Sequence, residues 1–289
     1  MSGTLSFWLR RRRVQLRSLF AAKPSTVPGY WRGGPTSVNA RRIVLFVTYA
    51  ANAQITLNAR HQVAAWQREG FDVITIVVVD DLAQTTNEVY PGDQVFVRRN
   101  VGYDFGAWAS VIVALPDVDR ATLVVVANDS VYGPTAGFQT MLQRVVQSTA
   151  DVVSATDSYE QTYHIQSYLL FFKPRALRHP AFLKFWQAVR IGNRQQVIDL
   201  YETALARYFL RNGLTVKALF PTASTFRGNR TLTDWKGLLD AGFPFIKAQL
   251  VRDNPFKVDL HGWEDRMVTD GYDSAIAVAD VTRRRLSGS

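Results

Sequence analysis

The chain has 289 residues and 47% hydrophobic content, enough to bury a substantial core in one large domain or two small ones. The absence of cysteine excludes disulfides and thiolate chemistry, and four scattered histidines (His61, His164, His179, His261) argue against a His-based zinc site. The net charge of +10 sits at the ends: residues 1–42 hold nine Lys/Arg and no acid, Arg283, Arg284 and Arg285 add three more, and 43–282 is near neutral with 22 basic and 24 acidic residues. A duplex-binding domain carries its basic face on the folded body, so nucleic acid is not an expected partner.

Residues 6–20 mix Phe7, Trp8, Leu9, Val14, Leu16, Leu19 and Phe20 with five arginines. Aromatic anchors beside a polybasic cluster suit an anionic membrane surface, at ~1 kcal/mol per basic residue. A solvated tail is the alternative, and RNA binding a weaker third. No apolar run approaches the ~20 residues needed to span a bilayer, and no cleavable h-region is present. The expected place is the cytoplasm, peripheral at the inner face of the cell membrane. Residues 21–41, rich in Pro, Gly, Ser and Thr, read as a linker.

From residue 42 onward strands and helices alternate. Residues 42–50 predict a buried strand, 57–69 a helix closed by Gly70, and 71–79 a second strand ending in Asp80-Asp81. A short strand at 94–99 leads into NVGYDFGAW, with a helix over 104–114. The run LVVVANDSVYGP, residues 123–134, is β-branched until it stops at Asn128-Asp129-Ser130. A helix at 138–147 and a strand at 152–155 come next. Continuous apolar strands alternating with helices predict an α/β fold with a mostly parallel sheet flanked by helices. Open α/β sheets place ligands at the carboxyl ends of their strands, where Asp129 stands. An Asx turn that merely ends a core strand is the alternative.

The second half changes character. Residues 163–174 predict a strand with His164, Gln166 and Tyr168 on one face and Ile165, Ser167 and Leu169 on the other. A helix begins near Phe182. A longer helix over 194–211 ends at Asn212-Gly213, with an apolar stripe of Val197, Tyr201, Ala204, Leu205 and Tyr208 and with Glu202 at the stripe's margin. Beyond Thr222 the chain is aromatic and loop-rich, with no clear periodicity. Trp66, Trp108, Trp186 and Trp235 are expected to pack in the core rather than against a ligand.

The chain lacks G-x-G-x-x-G after its first strand, G-x-x-x-x-G-K-[ST] and G-x-S-x-G. What remains is a set of polar residues after successive strands: Tyr49, Asp80-Asp81, Asn100 to Asp104, and Asn128 to Ser130.

The segments NVGYDFGAW, VVVANDSVYGP, HIQSYLLFF, FLKFW and YETALARYFLRNG occur in that order. In this set the chain resembles the rhamnan-synthesis protein F family, bacterial enzymes of rhamnose-containing surface polysaccharides, over roughly residues 42–260. More distantly it is similar to family 2 glycosyltransferases with a GT-A (Rossmann-like) fold. The resemblance implies a basic extension and linker (1–41), a GT-A-like transferase domain (42–260) and a C-terminal extension with a basic tail (261–289). It implies transfer of rhamnose or a related sugar from a nucleoside diphosphate donor, dTDP-rhamnose foremost, to a lipid-linked glycan. Asn128-Asp129-Ser130 stands where GT-A enzymes hold Mg²⁺ or Mn²⁺ against the diphosphate, but with one carboxylate, which leaves a divalent cofactor on Asp129 open. Asn100, Gly102 and Asp104 match an Asn-x-Gly segment that contacts the nucleotide sugar; a loop and helix N-cap is the alternative. Glu202 matches the catalytic base of inverting enzymes, with Thr203 where an Asp would be, and Asp157 and Glu160 stand in reserve. His164 and Gln166 are candidates for contact with diphosphate or acceptor, as is Tyr49 at its strand end. The alternative from another class is a non-catalytic glycan-binding or scaffold subunit.

Overall fold

The structure, a computed structural model, describes residues 21–160 and 162–286, with side chains to residue 282. The basic stretch at 6–20 and the Arg283 to Arg285 side chains, and with them the expected membrane contact, lie outside the described side chains. Among the described residues no helix is long and apolar enough to cross a membrane.

Strands β2 (Arg42–Tyr49), β3 (Asp72–Val79), β4 (Gln94–Arg99) and β5 (Leu123–Asn128) run parallel. The antiparallel β9 (Leu169–Phe172) lies between β5 and β7 (Val152–Ser158), and β10 (Val216–Phe220) is parallel to β7. With β1 (Gly29–Arg32) at one edge, these strands form a single sheet in the order β1-β4-β3-β2-β5-β9-β7-β10. Ile43, Leu45 and Val47 face one hydrophobic cluster, while Val44 and Phe46 face another. Both faces of the sheet are therefore covered, which explains why its strands are unbroken apolar runs in the sequence. The mostly parallel sheet flanked by helices is the expected one. Helix α1 (Leu57–Arg68), capped by the Thr56 hydroxyl, and α3 (Phe138–Gln147) cover one face. Helices α2 (Tyr103–Ile112) and α4 (Pro180–Ala188) cover the other, and the Trp108 indole donates to the Leu45 carbonyl at 3.1 Å. Trp66, Trp108, Trp186 and Trp235 are all buried.

Three local expectations are corrected. Within the stretch read as linker, β1 pairs antiparallel with β4, covering an edge that would otherwise present unpaired backbone groups. The strand expected over 163–174 is broken: β8 (His164–Ile165) pairs with β7, a turn at Ser167-Tyr168 comes next, and β9 enters the main sheet. The helix expected over 194–211 contains a π-helical turn, Ile198–Glu202, before α5 (Thr203–Arg211). It ends as expected, with Gly213 at φ +76° in the left-handed region.

The loop-rich C-terminal part contains a two-stranded ribbon in which β11 (Ile246–Lys247) pairs with β6 (Val131–Tyr132). Its third hydrophobic cluster joins Tyr132, Trp235 and Ile246 to Met267, Tyr272, Ala277 and Val281, the last two on α6 (Ser274–Leu286).

Candidate functional site

The carboxyl ends of β2, β3, β4 and β5 lie side by side, so the polar residues that stop each apolar run gather along one rim. They form two groups. Tyr49, Asp80 and Asn100 make the first: the Tyr49 hydroxyl donates to Asp80, and the Asn100 amide donates to the same carboxylate at 3.2 Å. That hydrogen bond to Asp80, with some burial, raises the Tyr49 phenol above its ordinary value.

The second group is centred on Asn128, Asp129 and Ser130. Asn128 Nδ2 donates to Asp104 Oδ2 at 2.7 Å, and Thr48 Oγ1 donates to Asp129 Oδ2 at 2.7 Å. The Asn128 side-chain oxygen, Oδ1, accepts from the Ser130 N–H and hydroxyl, closing an Asx turn. The two motifs NVGYD and NDS are thus one unit. Asp104 does not cap its helix: the cap position is Gly102, at φ +84°, with no side-chain cap bond. Tyr103 comes next at φ +54°, an unfavourable conformation for an aromatic residue. Two successive left-handed residues turn the chain so that Asp104 reaches Asn128 from the first turn of α2. Below them the buried Arg98 guanidinium donates to the Val101 carbonyl at 2.8 Å.

Glu202 enters from the opposite side of the sequence. It closes the π-turn, and one of its oxygens accepts from the Ser167 hydroxyl at 3.0 Å and from the Ser167 N–H at 3.3 Å. The break between β8 and β9 is what frees Ser167 to do this. Thr203 does not replace a second acid; its hydroxyl bonds the Asp199 carbonyl within the helix. Asp104 feels both other carboxylates. Burial first, then Asp129 and Glu202, push it up to about 6, against the opposing pull of the Asn128 amide and of Lys247.

Lys247, on β11, is the residue that sequence reasoning missed. Its ammonium donates to Ser130 Oγ at 3.0 Å and stands 4.1 Å from the centre of the Tyr168 ring. Burial pushes it down to about 8, with Arg194 acting the same way and Glu202 and Asp104 acting against. A two-residue strand in a loop-rich region carries no periodic signal, so nothing local in the sequence marked it.

Of the remaining candidates, Gln166 accepts from the Thr156 hydroxyl at 2.6 Å and donates to Asn229 at 3.2 Å, in a buried network. Thr156 also bonds the Tyr168 hydroxyl at 2.6 Å, so Gln166 supports the ring beneath Lys247. His164 is buried, its Nδ1 at 2.8 Å from the Thr162 carbonyl. The Asp157 carboxylate accepts from the Thr222 N–H at 2.6 Å and ties β7 to the chain after β10. Glu160 donates its backbone N–H to the Ser158 hydroxyl at 3.1 Å.

Asp129 is the carboxylate expected to hold a divalent ion. Hard cations take six or more oxygen ligands, usually with several carboxylates. Among the described residues no group of three or more Asp, Glu or His is placed to hold a metal ion, and the cluster beside Asp129 contains an ammonium. These residues do not fit a metal held by the protein.

The model of the family described as "Rhamnan synthesis protein F" matches residues 76–278. The chain belongs to this family. The match runs from within β3 to α6 and so contains both motifs of the rim, Glu202 and Lys247. Among relatives, the "Virulence protein VirA" of Vibrio anguillarum is 25% identical over 256 residues, covering 75% of this chain and 81% of that protein. An uncharacterized protein, y4gN, of Sinorhizobium fredii is 28% identical over 130 residues, 43% of this chain and 34% of that one. Among solved structures, the 4-diphosphocytidyl-2C-methyl-D-erythritol synthase of Anaerococcus prevotii overlaps 65% of this chain and 92% of its own at TM-score 0.40 and 12% identity. The 2-C-methyl-D-erythritol 4-phosphate cytidylyltransferase of Francisella tularensis overlaps 70% of this chain and 99% of its own at TM-score 0.38 and 10% identity.

Proposed function

We propose that this member of the rhamnan synthesis protein F family is a glycosyltransferase of GT-A type. It moves rhamnose or a related deoxysugar from a nucleoside diphosphate donor, such as dTDP-rhamnose, to a lipid-linked glycan at the inner face of the cell membrane. One observation carries the reading. Asp104 accepts a hydrogen bond from Asn128, which with Asp129 and Ser130 ends β5, and its carboxyl is raised by Glu202, a carboxylate from a separate helix. A donor site with a base close by is what group transfer to a hydroxyl requires.

Each residue then has a task. Asp104 and Asp129 accept hydroxyls of the nucleoside sugar and the transferred sugar, and the Asn128–Ser130 turn lies along the diphosphate. Ser167 holds one Glu202 oxygen, leaving the other to take the proton of the acceptor hydroxyl. The transfer joins that oxygen to the anomeric carbon as the carbon–phosphate oxygen bond breaks. The charge released on the diphosphate must be met by fixed positive groups.

Sugar-nucleotide turnover with a glycan acceptor tests this. Glu202→Gln keeps an oxygen for Ser167 to donate to and should lose roughly 10²–10⁴ in kcat. Asp129→Ala should lose donor binding as well as rate. Near wild-type turnover in both folded variants would reject the site. A scaffold subunit is the second reading, favoured by Thr203, whose hydroxyl is spent inside its helix where a second acid is expected. Calorimetric titration separates the two, since a scaffold binds no nucleotide diphosphate.

A further inference from the structure

We propose that Lys247 is the cation that holds the donor diphosphate and neutralises it as it leaves, in place of a metal ion bound by the protein. This rests on the glycosyl-transfer reading of the site.

Position is the first argument. The ribbon β6–β11 sets Lys247 opposite Val131, and the Ala248 N–H donates to the Ser130 carbonyl at 3.0 Å. The ammonium is thereby bolted to the turn that ends β5, where an α/β sheet presents its ligand. Unused capacity is the second. An ammonium has three N–H donors. One goes to Ser130 Oγ and the Tyr168 ring lies within cation–π range, while Asp104 and Glu202 act on it through space without an ion pair within 4.0 Å. An ammonium buried on a partly exposed side chain and held short of its carboxylates retains a donor for a phosphate oxygen. Balance of charge is the third. Asp104, Asp129 and Glu202 surround the site with negative charge, which by itself would repel a diphosphate. Lys247 is placed among them, and Arg194 adds a second positive charge from the segment before the π-turn.

In the transfer step the acceptor oxygen bonds to the anomeric carbon and its proton passes to Glu202. The bond from that carbon to the β-phosphate oxygen breaks with its electron pair. The diphosphate gains one negative charge, and the Lys247 N–H meets it. The charge balance is complete with groups the chain itself supplies.

Calorimetric titration of the full chain with dTDP and with UDP, in EDTA and in Mn²⁺, tests the assignment. The expected dissociation constant is the same within about threefold with and without the metal. Lys247→Met should weaken binding by more than about tenfold, and Lys247→Arg should restore part of it. Arginine keeps its charge in alkaline solution. Wild-type affinity should therefore fall as pH rises past about 8, whereas that of Lys247→Arg should not. The groups facing the ammonium through that range are Asp104 from α2, Tyr168 from the turn before β9, and Glu202 and Arg194 from the helix over 194–211. If Lys247→Met does not fold, as judged by its thermal melt, the pH profile of Lys247→Arg decides the matter. Binding that vanishes in EDTA, returns with Mn²⁺ and survives Lys247→Met overturns the Lys247 assignment alone. No binding of either nucleotide under any condition overturns it together with the transferase reading.

Discussion

At the scale of single residues, the rim is expensive. Asp104 is raised from 3.8 to about 6, mainly by burial. A carboxylate whose folded pKa lies above its unfolded value contributes most to stability below the unfolded value. That contribution is lost as pH rises through the folded one. Asp104→Asn is close to isosteric, keeps an oxygen for Asn128 to donate to, and removes the titration. It should leave the melting temperature unchanged near pH 4 and raise it by a few degrees near pH 7.5, while weakening donor binding. Thermal melts at the two pH values, paired with nucleotide titration, check both halves. Equal shifts at both pH values would mean that Asp104 is not the titrating group. Lys247 has the opposite sign: its depressed folded pKa makes its burial costly as pH falls through about 8, unless a phosphate is bound. The acids disfavour one another and only partly offset the cost of burying the lysine, so a diphosphate that meets the lysine and hydroxyls that meet the acids relieve both. Sites of this kind commonly trade stability for activity.

At the scale of elements, the strands were legible because each is buried on both faces. Residues 94–99 and 138–147 carry the strand and helix that periodicity predicts. The misses share one cause. The break at Ser167, the π-turn before Thr203 and the edge strand Gly29–Arg32 are set by what each segment meets in space. A helical wheel assumes 3.6 residues per turn and fails across a π-turn, which adds a residue and re-aims the side chains after it. Here that places Glu202 at Ser167. The Gly102-Tyr103 corner is the other element that aims a carboxylate. Gly102 needs its positive φ, while a Cβ there would meet Gly106 and Ile191 at 3.6 Å, ordinary contact. The cost of Gly102→Ala is therefore conformational, about 1–2 kcal/mol. Chemical denaturation should show that loss, and donor KM should rise more than kcat falls, because Asp104 is displaced while Glu202 is untouched. A fall in kcat alone would mean that the corner does not position the donor.

At the scale of the whole molecule, the C-terminal helices hold the ribbon that carries Lys247. The amides of Asn58 and Gln62 on α1 both donate to the Val131 carbonyl at 2.8 Å. The Tyr272 hydroxyl donates to Asn58 at 3.2 Å, and the Tyr132 hydroxyl donates to Asp280 at 2.8 Å. Tyr272→Ala removes a buried ring and its hydroxyl, and should cost about 3–5 kcal/mol by denaturant titration. Tyr272→Phe should cost only about 1 kcal/mol, the worth of one hydrogen bond. If the ribbon is held this way, Tyr272→Ala should also weaken nucleotide diphosphate binding, although the residue lies in a different cluster from the sheet strands. Unchanged binding in the folded variant would show that the ribbon keeps its place without the C-terminal helices.

From residue 42 to about residue 155 the sequence alone determined the order of strands and helices and the strand ends at which polar residues gather, Asp129 among them. Those are local properties, written in the length of apolar runs and in the residues that stop them, whereas Glu202, and the roles of Asp104 and Asp129, came from the family resemblance. Only the tertiary structure decided which of them meet. Asn128 joins Asp104 across 24 residues, Ser167 joins Glu202 across 35, and Lys247 reaches Ser130 across 117. The last pairing is made by a two-residue ribbon. Its backbone hydrogen bonds form with little regard to side-chain identity, so no pattern in the sequence marked Lys247 as the charge at the centre of the site.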